Sequence, residues 1–102
     1  MENGATGRYG WALTIVLSLG DTVNAELCDQ PEKLDELKRR TLPWQGAIGH
    51  DPAHGTITFT GVVHARDFKN VDQQVSDVIY ALGAAPNRVV VLSAVRGNRV
   101  TL

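Results

Sequence analysis

An α+β sandwich, with an antiparallel sheet and two helices packed on one of its faces, is the fold class this sequence predicts, and three observations predict it. Residues 11–19 and 56–65 alternate apolar and polar side chains with the period of two that marks a strand with one dry face. Residues 68–82 place Phe68, Val71, Val75, Val78, Ile79 and Leu82 at helical spacing. The punctuation between such segments yields the order strand, helix, strand, strand, helix, strand.

Composition bounds the rest. At 102 residues the chain suits one domain over residues 9–102 behind a disordered leader over residues 1–8. A hydrophobic fraction of 43% and a charged fraction of 21% are those of a globular protein. The net charge of −1 supplies no general pull toward nucleic acid or an anionic membrane. Cys28 is the one cysteine, so an intramolecular disulfide and a cysteine-built zinc site are both excluded, and a reducing cytoplasm is the expected compartment. No apolar run approaches the ~20 residues that span a bilayer.

Taken in order, residues 11–19 read WALTIVLSL and put Leu13, Ile15, Leu17 and Leu19 on one parity. Gly20 and Asp21 end this strand, and residues 22–27 read as loop. Asp29 is placed to cap the first helix, with Glu32 three residues on and Pro31 tolerated in the first turn. Leu34, Leu37 and Leu42 form its buried stripe, Lys38, Arg39 and Arg40 offset the negative end of its dipole, and Pro43 stops it. Residues 44–50 form an edge strand weakened by Gly46 and Gly49, and the turn at residues 51–55 reverses the chain into the central strand. Asp67 or Asn70 caps the second helix, which Gly83 and then Pro86 terminate. Residues 88–95 are apolar on both parities, which predicts that both faces of this strand are covered. Gly97 and Asn98 have the residue types of a two-residue hairpin turn, which would fold residues 99–102 back as a short extra C-terminal strand.

This element order resembles the split βαβ pattern of ferredoxin-like sandwiches, βαββαβ, a likeness of order without any accompanying motif. It implies that the first and third strands are central and that both helices cover the face bearing Leu13, Ile15, Leu17, Ile57, Phe59 and Val63. The opposite face would carry Thr14, Val16, Ser18, Thr56, Thr58, Thr60, Val62 and His64, with Val89, Val91 and Val95 beside them. A semi-apolar face of this kind is not usually left bare by a lone monomer, and a second copy of the same face is the simplest cover. Trp11 and Trp44, each starting a strand, are of the type that anchors interfaces.

The candidate chemistry is thin. His50 and His54 have the i, i+4 spacing that points two rings at one metal on a helix, but Pro52 and Gly55 make this segment a turn, so exposed histidines are expected and no metal is. His64 lies ~30 Å further along an extended strand at 3.3 Å per residue, so one site cannot hold all three. His64 with Arg66 and Asp67 has the residue types for acid–base work, but a strand-surface histidine and an Asp67 helix cap are the stronger explanation. Cys28 has no local base and reads as a small packed side chain. RNA-recognition modules share the element order but stack bases on aromatics, where this chain has threonines and valines. Lys38, Arg39, Arg40, Arg88, Arg96 and Arg99 are adequately explained as helix and strand ends. The expected function is a cytoplasmic interaction or regulatory module, homodimeric, without catalysis or cofactor. An enzyme or small-ligand binder with a cleft near His64 is the alternative, and nucleic-acid binding a more distant one.

Overall fold

The computed structural model describes residues 8–40, 46–83 and 88–102. In chain order they form β1 (Tyr9–Leu19), α1 (Asp21–Asp29), α2 (Glu32–Arg40), β2 (Ala47–Asp51), β3 (Thr56–His64), α3 (Val71–Leu82) and β4 (Val89–Thr101). Apart from Arg8, the leader expected over residues 1–8 lies outside the described residues, as do Leu42, Pro43, Trp44 and Pro86.

The four strands pair antiparallel in the order β2-β3-β1-β4. The two strands with the strongest alternation are central, because only there can a whole apolar parity be sealed. Ile15 faces Phe59 and Leu17 faces Ile57 across the β1–β3 pair, and all four are at most 1% exposed. Leu27 of α1, Leu37 of α2, and Val75, Val78 and Ile79 of α3 close over this face and complete one continuous core. Each such side chain withdrawn from water contributes about 1.5–3 kcal/mol. The architecture is therefore an α+β sandwich with an antiparallel four-stranded sheet.

The described residues hold three helices, not the two expected, so the order βαββαβ is not reproduced. The segment read as loop over residues 22–27 is helical, because Val23 and Leu27, four residues apart, both pack on the core. Alternation over so few residues did not distinguish the two periods. Asp29, expected to cap a helix, ends one instead. Gln30 precedes Pro31, whose ring disfavours helical backbone at the residue before it, and Gln30 sits at φ −129° and ψ 73°. α2 restarts beyond the proline with Leu37 buried and Lys38, Arg39 and Arg40 in its last turn.

The second crossover follows the sequence closely. Asn70, of the two candidate caps, accepts a hydrogen bond on its side chain from the Gln73 backbone N–H at 2.7 Å. Gly83 ends α3 in the left-handed region at φ 71°, where a Cβ is disfavoured, and its N–H bonds the Tyr80 carbonyl.

β4 overturns two expectations. No hairpin forms at Gly97 and Asn98, and residues 99–101 are not a separate strand. Arg99, Val100 and Thr101 continue forward to pair with Trp11, Gly10 and Tyr9 of β1, which a reversal would have left unpaired. Gly97 and Asn98 stand together opposite Ala12, and this bulge absorbs the extra residue. A second irregularity inserts Leu92 between the pairs Val16 with Ser93 and Leu17 with Val91. A one-residue insertion exchanges the faces of everything beyond it, so no single parity runs through β4.

Candidate functional site

The face opposite the helices is built from cross-strand rows whose side chains share a side. One row joins Thr56, Ser18 and Val90; the next joins Thr58, Val16 and Ser93; the third joins Thr60, Thr14 and Val95. Ala12 and Val62 form the next pair, and beyond it His64, Gly10 and Val100 close the sheet end. Ala47 and Gly49 of β2 extend the rows past Thr60 and Thr58. Thr56, Thr58, Val62 and His64 are half-buried by their neighbours in the sheet, while Thr14 and Thr60 are exposed. The predicted threonine row and His64 thus occupy the face assigned to them.

The valines divide. Val89 is buried in the core beside Leu19, which corrects its placement on the open face. Val91 stands opposite Leu17 on the core parity yet remains exposed at the sheet edge. Val95 does lie on the open face. The exposed apolar positions of β4 are Val90 at 61%, Leu92 at 56% and Val95 at 55%, together with Val91. Among the described residues of one chain nothing covers the open side of β4, and on its helix side Val89 is buried and Ala94 partly so. Val90 and Leu92 were not legible as surface positions, because a bulge inside a run of valines leaves no mark in periodicity.

Trp11 lies on the other side of the sheet, half-buried, on the parity of Leu13. The Arg96 guanidinium sits 4.1 Å from its ring centroid, Tyr9 meets it edge-on at 5.9 Å, and Arg99 lies 5.0 Å from the Tyr9 centroid. The two rings meet each other in the middle and each carries a guanidinium on its far side, so Trp11 is already engaged within the chain. Trp44 lies outside the described residues.

The histidines separate into three environments. His50 points to the helix side, where its Nε2 lies 2.7 Å from Asn24 Oδ1. Asn24 Nδ2 donates to the Pro52 carbonyl at 3.1 Å, which leaves Oδ1 to accept and assigns the His50 proton to Nε2. His50 is thus half-buried and bonded, not a free turn histidine. His54 is exposed; its backbone N–H donates to Asp51 Oδ1, and its Nδ1 lies 2.8 Å from Asp51 Oδ2. The His54 side chain, bonded to the Asp51 carboxylate, holds the Asp51 pKa below the usual carboxylate value. Among the described residues no three His, Cys, Asp or Glu side chains cluster as a metal site would require. His64 stands at the sheet end with Arg8, Tyr9, Ala65, Arg66 and Leu102 around a cavity of about 330 Å³. Arg66 leans toward Asp67 at 3.9 Å, and no bond joins either to the His64 ring. Cys28 is exposed on α1, which corrects its reading as a packed side chain.

No helix among the described residues is long and apolar enough to cross a membrane. Compared with protein-family models, with curated proteins and with solved structures, the chain finds no match.

Proposed function

We propose that this protein is a small interaction or regulatory module that works as a homodimer, two copies meeting through the open sheet face and the adjoining part of β4. One observation carries this reading: Val90, Leu92 and Val95 lie exposed on an edge strand that is joined to the core on its other side through Val89 and Ala94. Withdrawing such side chains from water favours a partner surface. The two halves of β4 differ in the same sense. Over residues 96–101 the edge carries Arg96 and Arg99, charges that discourage strand pairing, whereas residues 90–95 carry no charged side chain. Thr14, Thr58 and Thr60 supply hydroxyls able to bond across such an interface without buried charge. In this reading the fold is a ferredoxin-like split βαβ sandwich whose first crossover helix is broken at Gln30 and Pro31; its sheet order and wholly antiparallel pairing support that.

Hydrogen exchange followed over a dilution series tests the proposal. Amides of Val90, Leu92 and Val95 should lose protection as the chain is diluted, while those of Ile15 and Phe59 do not. Protection of β4 that is independent of concentration would contradict it.

A further inference from the structure

The geometry points to the cavity at the His64 end of the sheet as a binding site for a small molecule bearing a phosphate monoester. Arg8, His64 and Arg66 line it from the start of β1, the end of β3 and the turn that follows, and no acidic side chain is among its lining. Two guanidinium forks and an imidazole are a donor set matched to the several oxygens of a tetrahedral dianion, more than a single carboxylate requires. Among the described residues no carboxylate pairs with Arg8, and Arg66 has only the loose contact to the exposed Asp67. Both arginines are exposed, so their charge is available to a ligand.

The frame around these groups is tied down. The Ala65 N–H bonds the Tyr9 carbonyl at 3.0 Å, the Leu102 N–H bonds the Arg8 carbonyl at 3.0 Å, and the N–H groups of Asp67 and Phe68 both bond the His64 carbonyl. Gly10 pairs directly opposite His64, where a Cβ would meet the Val63 carbonyl oxygen at 2.6 Å and Val62 Cγ1 at 2.7 Å, so no neighbouring side chain crowds the imidazole from that position. The cavity of about 330 Å³ exceeds what a bare phosphate fills, and Tyr9 and Leu102 give its remaining wall an apolar surface for the attached organic group. Arg99, stacked on Tyr9, adds positive charge behind that wall.

The test titrates the full chain by NMR with inorganic phosphate, phenyl phosphate and phenol, at constant pH and ionic strength. The site predicts saturable shifts of the His64 ring and of the Arg8, Ala65 and Arg66 amides with both phosphates, tighter binding of phenyl phosphate than of inorganic phosphate, and no saturation with phenol. Arg8→Gln and Arg66→Gln, both at exposed positions, should each weaken phenyl phosphate about tenfold, the loss of one charge-assisted hydrogen bond. Linear shifts without saturation, equal binding of phenol, or unchanged affinity in both variants would overturn the proposal. The result is independent of whether two copies pair, because the oligomeric state is read separately by light scattering on the same samples.

Discussion

His50 Nε2 stands 2.7 Å from Asn24 Oδ1, a hydrogen bond that ties the edge strand β2 to helix α1 across 26 residues of chain. Asn24 also holds the turn through the Pro52 carbonyl, and that carbonyl accepts from Gly55 N–H as well. Asn24→Ala removes both side-chain bonds and leaves His50 without its acceptor, so it should destabilise the fold by about 1–2 kcal/mol. Urea unfolding measures this. The tautomer is a second readout: the His50 ring should carry its proton on Nε2 in the wild-type protein, visible in long-range ¹H–¹⁵N spectra.

The pair Asp51 and His54 sets a pH dependence of known sign. The carboxylate of Asp51 is held below its usual pKa chiefly by the His54 side chain. A carboxylate with a lowered folded-state pKa stabilises the fold above the unfolded value, and that contribution is lost as pH falls through the folded one. A carboxyl ¹³C titration should place the Asp51 midpoint below that of an unstructured aspartate. In His54→Ala the midpoint should rise toward the ordinary value; an unmoved midpoint would show that the histidine is not the cause.

Phe59 is the largest side chain among those fully buried, and it faces Ile15 at the centre of the sheet. Phe59→Ala should cost about 3–5 kcal/mol, as truncation of a packed aromatic leaves a cavity its neighbours fill only in part. Thr60→Ala, one residue along on the open face, should cost no more than about 0.5 kcal/mol, as surface changes do. Similar losses for both would mean that the two faces of β3 are not as different as their exposures.

These contrasts show how much of the molecule could be read from residues alone. Strong period-two alternation located β1 and β3 and assigned their faces, because a sheet with one sealed side imposes that pattern directly. Asn70 and Gly83 marked the ends of α3 for the same local reason, a cap bond and a left-handed backbone. The first crossover was not legible, since Val23 and Leu27 fit either period in so short a segment and the break at Pro31 resembled a helix start. β4 is not legible from periodicity, because its two bulges change which side chains share a face, and a bulge is selected by pairing with β1, a tertiary event. The bond of His50 to Asn24 has no local signal, because it joins segments whose approach only the folded sheet creates. The cavity around His64 escaped for that reason too, as Arg8, Arg66 and Leu102 meet only when β1, β3 and β4 end together.

The most direct test of the homodimer is its mass in solution, measured by light scattering at high micromolar concentration with Val95→Glu as the comparison. Val95 is exposed opposite Thr14 on the open face, so the change places a charge on the surface without entering the core. The wild-type chain should scatter as twice its 11.1 kDa, and Val95→Glu should scatter as one chain with an unchanged far-ultraviolet circular dichroism spectrum. A wild-type protein that remains at the mass of a single chain, or a Val95→Glu variant that stays dimeric, would contradict the account.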